Sequence, residues 1–472
     1  MKYFLSLLGM LSISLLPVPG SPGESSPASR IRAAYRNYYQ GLLHYSEGHF
    51  GRAESHLQRA HQIAPENFNF SLALALCLSR VEQGGEGLSL LGRTALPATD
   101  PYYEHKRAIR LFVKGMVLYY TGRSTDAIRE LERSIEAARL LHMPDVEATF
   151  ENALGFVILH HQGSGSNHSD ELPLHYHVHR RDMMKALQHF ERALAVHPQH
   201  VSARKNARML WDTLQLAPPA AIRRSDTAGR RGVSSLVTGL PQDVERVREL
   251  AGYDEVLLLV DISGSMTQEQ VLCMGLSRFE VMRNLGLYLV RELPDTAGLA
   301  LGTVGGDCGD APKQWIATDS MGRRDLTYVI RFLTAHGTTP LLERVEQSVA
   351  LFSDRPGKSR AIFLISDGAN VCRSGGEDIC GWASRIRRAG ITINVLTFLD
   401  ASFNNVEAFS DYGCLADHTG GRIFYLDNVR CAFTDLSFKL LDNLQLRLPP
   451  LQKVYCWGPQ IESLWAIFPE EK

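Results

Sequence analysis

Glu255-Val256-Leu257-Leu258-Leu259-Val260-Asp261-Ile262-Ser263-Gly264-Ser265 is the stretch that decides the fold of the C-terminal half. Glu255 to Val260 is a short, continuous apolar run, the pattern of a strand buried on both faces. It ends in Asp261, Ser263 and Ser265, which alternate along one loop, so that all three oxygens can point the same way. Downstream the pattern switches repeatedly. Helical periodicity covers Phe279 to Leu293, Leu341 to Phe352, Ile379 to Ala389 and Asn405 to Thr419, with a closing helix over Ala432 to Leu444. Strand-like runs cover Leu299 to Val304, Ala361 to Ile365, Ile391 to Phe398 and Arg422 to Tyr425. Alternation of this kind predicts an α/β doubly wound, mostly parallel sheet over residues 251–446, followed by a tail at 447–472.

In doubly wound sheets, ligands bind outside the carboxyl ends of the strands, where strand order reverses. Two strand ends here finish in aspartate. The second is Ser366-Asp367-Gly368. A third loop, Gly337-Thr338-Thr339-Pro340, enters a helix with Pro340 at a favourable first helical position. Hydroxyls and carboxylates without sulfur or imidazole form a hard-cation set, suited to Mg²⁺, Mn²⁺ or Ca²⁺. Taken alone, Asp261-x-Ser263-x-Ser265 also reads as a helix cap and a turn. Thr339 and Asp367 in matching places favour the metal.

Together these segments resemble the metal-ion-dependent adhesion site of von Willebrand factor type A domains, in chain order and in strand context. The resemblance covers about Glu255 to Leu446. Gly306-Asp307-Cys308, Cys372 and Cys414-Leu415-Ala416 before Thr419-Gly420-Gly421 are similar to bacterial secreted members of that family. The resemblance implies direct metal contacts from Ser263 and Ser265. It implies direct or water-mediated contacts from Asp261 and Asp367, and a ligand-dependent contact from Thr339, with Thr338 the competing choice. It further implies a protein partner whose Asp or Glu completes the coordination. Enzymatic motifs are missing. There is no G-x-x-x-x-G-K-[ST] loop and no G-x-S-x-G elbow, and Ser263-Gly264-Ser265 has no nearby histidine to act as a base. A metal-assisted hydrolase would want more than two carboxylates.

The N-terminal half reads as helical from Ile31 to Leu216, with apolar residues recurring at three and four. Gly41, Ala53, Leu57, Ala60 and Pro65 occupy small, small, large, small and proline positions. Gly115, Ala127, Leu131 and Ser134 repeat the order, and Gly155, Ala186, Phe190, Ala193 and Pro198 do so again. Gly48 and Gly122 fall at the turns, and Phe68 to Gly92 holds room for a degenerate unit. These positions resemble a tetratricopeptide array of three or four repeats, which implies an all-α stack presenting a concave surface to a second protein partner. The third unit carries an insertion near 163–180 with His168, His175, His177 and His179, preceded by His160 and His161. Such a tract reads as a solvated loop or a transition-metal binder. Asn167-His168-Ser169 is a formal glycosylation triplet, relevant only in a eukaryotic secretory pathway.

The flanking segments bear on location. Lys2 and the apolar run Phe4 to Leu16, followed by the Pro/Gly/Ser-rich exit to Ser29, read as a secretory signal cleaved between Gly20 and Ala28. No later apolar run is long enough to span a bilayer. Of 8 cysteines, all but Cys77 lie in the C-terminal half: Cys273, Cys308, Cys372, Cys380, Cys414, Cys431 and Cys456. Their spacing lacks a C-x-x-C pair, so disulfides are expected over zinc, with Cys372–Cys380 closing the loop between them. Seven is odd, so one thiol is left over. Residues 217–250, with Pro218, Pro219, Arg223, Arg224, Arg230 and Arg231, read as a solvated hinge. Each half is therefore expected to fold alone. The 472 residues are 44% hydrophobic and 21% charged, and the net charge of -1 gives no sign of a nucleic-acid partner. The whole reads as an exported adaptor, periplasmic or secreted. The alternatives are an envelope assembly factor whose metal only stabilises it, and a metal-assisted hydrolase.

Overall fold

The structure is a computed structural model. It describes residues 27–219 and 252–436, with residues 240 and 247, but without 101, 161–179, 199, 269, 311–312, 318–319, 354–356, 373–377, 400–404 and 428–430. The signal-like segment, nearly all of the histidine-rich insertion, almost all of the linker, Cys456 and the tail lie outside the described residues.

The N-terminal half is a helical array, as the repeat pattern predicts. Its helices are α1 (Pro27–Ser46), α2 (Phe50–Ile63), α3 (Phe68–Arg80), α4 (Gly84–Arg93), α5 (Tyr103–Tyr120), α6 (Ser124–Leu140), α7 (Pro144–His160), α8 (Arg180–Val196) and α9 (Val201–Leu214). One packing device recurs. A Cβ on Gly41 would lie 2.6 Å from Leu57 Cγ, one on Gly115 2.8 Å from Leu131 Cγ, and one on Gly155 2.7 Å from Phe190 Cε1. In each hairpin the glycine of the first helix admits a large side chain of the second. Ala53, Ala127 and Ala186, one turn earlier, are fully buried beside it. In the degenerate unit α3–α4 the roles reverse, since Gly87 on the second helix sits where a Cβ would lie 2.6 Å from Ala75 O.

The C-terminal half contains β1 (Glu255–Asp261), the hairpin β2 (Gln270–Val271) and β3 (Leu276–Ser277), and α10 (Arg278–Glu292). After these come β4 (Gly298–Val304), β5 (Gln314–Ala317), α11 (Ser320–Phe332), α12 (Leu341–Ser348) and β6 (Arg360–Ser366). The half closes with α13 (Ile379–Arg388), β7 (Ile391–Thr397), α14 (Val406–Thr419), β8 (Ile423–Asp427) and β9 (Ala432–Asp435). The sheet order is β5-β4-β1-β6-β7-β8-β9. Its five central strands run parallel, and β5 and β9 are antiparallel edges. The chain passes from β1 to β4 on one side and returns across β1 to β6, so the order reverses around β1. Side chains of β1 alternate between faces. Val256, Leu258 and Val260 join the core with α10 and α11, and Leu257 and Leu259 join the core with α12, α13 and α14.

One element corrects the sequence reading. Ala432–Asp435 is a strand rather than the start of a closing helix, paired antiparallel to β8 through Leu426–Phe433 and Asp427–Ala432. Pairing with β8 supplies its backbone partners, which a helical periodicity read from one segment cannot weigh. The hairpin β2–β3, the edge strand β5 and helix α11 add to the segments read from the sequence.

The halves also meet away from the linker. Helix α1 packs on α14, and one continuous apolar core runs through both. Tyr39 and Phe409 place their ring centroids 5.5 Å apart. Tyr35 Oη donates to Asp417 Oδ2 at 2.9 Å, and Asn67 Nδ2 donates to the same oxygen at 2.7 Å. Arg32 pairs with Asp411 at 2.7 Å, where the Asp411 side chain is only 1% exposed. Beyond this contact the seam opens into a cleft of about 380 Å³ lined in part by Tyr38, Tyr102, Asp417 and Arg422. Independent folding of each half, expected from the linker, would strip Asp411 of its arginine and expose Tyr39 and Phe409.

The cysteine pairing also differs. The disulfides are Cys273–Cys431, Cys308–Cys372 and Cys380–Cys414, and the buried Cys77 is free. Cys372 follows β6 and meets the loop after β4. Cys380 opens α13 and faces α14. Closeness along the chain, the basis for expecting Cys372–Cys380, is overridden by strand order and helix packing. Non-reducing peptide mapping of protein from an oxidising compartment should recover these three bridges. A Cys372–Cys380 peptide would contradict the arrangement.

Candidate metal centre

Strand β1 carries Asp261 to the carboxyl edge of the sheet, where parallel pairing with β6 sets Val260 beside Ile365. The next residues therefore emerge together: Asp261 to Ser265 from one strand, Ser366 to Gly368 from its neighbour. Ser263 N donates to Asp261 Oδ1 at 2.8 Å, which bends the loop back over its own strand end. Ser366 Oγ donates to Asp261 Oδ2 at 2.6 Å. Ser263 Oγ and Ser265 Oγ lie 3.0 Å apart, and Ser265 Oγ donates to Asp367 Oδ1 at 2.8 Å. Four of the five residues singled out in the sequence thus form one hydrogen-bonded cluster.

The third loop is tied to the first through backbone. Gly264 N donates to Gly337 O at 3.1 Å, and His336 N donates to Ile262 O at 2.6 Å. Gly337 has φ +75°, and a Cβ there would lie 2.5 Å from backbone atoms of Gly306, so glycine is required. The two threonines then part company. Thr338 Oγ1 donates to Gly306 O at 3.1 Å. Thr339 is buried against the Asp367–Gly368 turn, its Oγ1 3.3 Å from where a Gly368 Cβ would stand. Thr339, not Thr338, therefore lies beside the cluster.

Sequence reasoning missed the groups that hold this cluster. Arg278 Nη1 reaches Asp367 Oδ2 at 3.0 Å, with the Asp367 side chain fully buried. Ser277 and Glu280 form a capping box that starts α10 and fixes Arg278 in its first turn. The Ser277-x-x-Glu280 spacing is legible as a helix start, but nothing in the chain says which carboxylate Arg278 meets. Tyr412 Oη donates to Gly368 O at 2.9 Å. Buried Arg344 donates to Gly305 O, Asp307 O and Asp310 O, which props the loop that carries Cys308.

The electrostatics are unbalanced. Burial, then the nearby Asp367 charge, pushes the Asp261 carboxyl up to about 6. Two buried carboxylates face one guanidinium, and every other donor in the cluster is a neutral hydroxyl. An all-oxygen set with uncompensated negative charge fits a hard divalent cation.

No protein-family model and no curated protein matches the chain. Solved structures are similar to part of it. An aerotolerance-related membrane protein of Bacteroides fragilis, crystallised with multiple mutations to serines, is 19% identical over 41% of this chain and 98% of its own, with TM-score 0.28. The VWA domain of SpRpn10 is 12% identical over 43% of this chain and 100% of its own, with TM-score 0.29. Proximal thread matrix protein 1 of the mussel byssus, with a zinc-occupied MIDAS motif, is 17% identical over 42% of this chain and 46% of its own, with TM-score 0.27. The second is a VWA domain and the third carries a MIDAS motif, the family and the motif that the strand-end residues resemble. At these identities and scores the functional reading rests on the site itself.

Proposed function

We propose that this chain is an exported, non-enzymatic adaptor that binds a partner protein through a divalent cation, Mg²⁺ first and Mn²⁺ or Ca²⁺ as alternatives. Asp261, Ser263, Ser265, Thr339 and Asp367 would hold the cation. The observation that carries the reading is the charge balance of the cluster: two buried carboxylates, one of them already shared with Arg278, and otherwise neutral hydroxyls. A cation held so sparingly keeps much of its positive charge and an exchangeable position. An Asp or Glu from a partner is the ligand that both neutralises it and completes the coordination.

Hydrolysis is the weaker reading. His336 belongs to the third loop, but its Nδ1 lies 3.1 Å from Thr334 O, while the hydroxyls of Ser263 and Ser265 bond to each other and to Asp367 instead of to an imidazole. Export is supported by three disulfides, and no described helix is long and apolar enough to cross a membrane. The helical array would hold a second partner on surface that α1 does not give up to α14.

The test is capture of partners from the native envelope or secreted fraction by the full chain. With Mg²⁺ present a partner should be retained. Chelation, or Asp261→Ala with Ser263→Ala, should release it. A partner retained under both conditions, with chelator lowering only the melting temperature, would favour the assembly factor with a purely stabilising metal.

A further inference from the structure

The turn between α1 and α2 gathers three side chains that the strand-end site does not use. His44 Nδ1 lies 3.2 Å from Glu47 Oε2, and His49 Nδ1 lies 3.2 Å from the same oxygen. All three donor atoms fall within 4.8 Å of one another. A tetrahedral cation with bonds of about 2.0–2.1 Å sets its donors about 3.3–3.4 Å apart. Both separations to Glu47 Oε2 are close to that edge length, and the two imidazole nitrogens, within 4.8 Å of each other, close the triangle.

The positions are set by backbone. Glu47 N donates to Leu43 O at 3.1 Å, Gly48 N to Tyr45 O at 3.1 Å, and His49 N to His44 O at 2.9 Å. Gly48, at φ +78°, reverses the chain between Glu47 and His49 and so turns both side chains to the same side as His44. A third imidazole stands beside the trio, because the rings of His44 and His56 are centred 5.5 Å apart. Asn37 Nδ2 donates to Ala33 O at 2.8 Å, which fixes the amide so that Asn37 Oδ1 faces His56 Nδ1 at 3.0 Å. His56 therefore carries its proton on Nδ1 and keeps a bare lone pair on Nε2, the arrangement that an outer hydrogen bond imposes on metal-binding histidines.

We propose that the first helical hairpin carries a separate transition-metal site, for Zn²⁺ or another imidazole-binding ion, formed by His44, Glu47 and His49 with its fourth position open. The donor set is two imidazoles and one carboxylate, against hydroxyls and carboxylates at the strand ends, so the two sites select different ions. The open position takes water, His56 or a side chain from a partner docking at this end of the array.

The test is Zn²⁺ titration of the full chain by calorimetry. The parent protein carries Asp261→Ala and Ser263→Ala, with His161, His168, His175, His177 and His179 changed to Gln, so that neither the strand-end cluster nor the insertion contributes. It should bind one equivalent of Zn²⁺. Adding His44→Gln and His49→Gln should weaken that binding at least tenfold, with metal-free melting unchanged. Glu47→Gln, which keeps the shape and removes the charge, should also weaken it at least tenfold and serves if the histidine pair perturbs the hairpin. A parent that binds no Zn²⁺, or an affinity untouched by both variants, overturns the site.

Discussion

Arg32→Ala is expected to destabilise the folded chain by about 2–4 kcal/mol at pH 8 and by much less at pH 5, because it leaves a buried carboxylate without its partner. Arg32 pairs with Asp411 at 2.7 Å across the seam, and Asn370 N donates to Asp411 Oδ2 at 3.2 Å. Burial, partly offset by Arg32, raises the Asp411 carboxyl to about 6. Its folded value thus lies above its unfolded one. The folded state holds an extra proton between roughly pH 4 and pH 6, and this group's contribution to stability falls as pH rises through that window. Removing Arg32 takes away the offset and moves the window higher. Acid then rescues the variant, because a protonated Asp411 needs no cation. Glu407, paired with Arg36 at 2.8 Å, adds a negative charge nearby and acts in the same direction. Gly413→Val is the contrasting variant. A Cβ there would lie 2.4 Å from Tyr35 Cδ1, so the seam opens for steric reasons. Acid should not relieve that loss. Chemical denaturation at pH 5 and pH 8 separates the two. An Arg32→Ala loss that does not vary with pH would remove the buried charge from the account.

Much of this fold is legible in one dimension because its signals are local. The apolar run at Val256 to Val260 and the alternation after it depend only on neighbours in sequence. So do the glycine, alanine and large-residue positions of the hairpins. Four of the five candidate site residues group in the sequence alone because strand ends converge by topology. What stayed hidden depends on pairing between distant segments. The partner of Cys380 is Cys414 on another helix. Strand β9 exists because β8 offers an edge. Arg278 meets Asp367 from 89 residues away, and Tyr35 meets Asp417 from 382. No periodicity records such meetings. The Thr338–Thr339 ambiguity is of the same kind, since it turns on whether a hydroxyl finds Gly306 O or the Asp367–Gly368 turn.

The second large effect concerns the strand-end cluster. Asp261→Ala with Ser263→Ala should weaken Mg²⁺ and Mn²⁺ binding by roughly 100-fold or more, equivalent to about 2.8 kcal/mol. The pair removes one of two carboxylates and the hydroxyl joined to Ser265. It also deletes the acceptor of Ser263 N and Ser366 Oγ, so the loop loses its bend as well as its charge. The sheet should survive. The apolar side chains of β1 are untouched, and a fully buried, uncompensated carboxylate is lost from the strand end. Circular dichroism of both proteins checks that point before any titration is read.

Calorimetric titration of Mg²⁺ and Mn²⁺ into the full chain, with and without Asp261→Ala and Ser263→Ala, decides whether the strand-end cluster holds a divalent cation. One divalent site is expected in the unaltered protein and none in the folded double variant. Equal binding by the two proteins would contradict it.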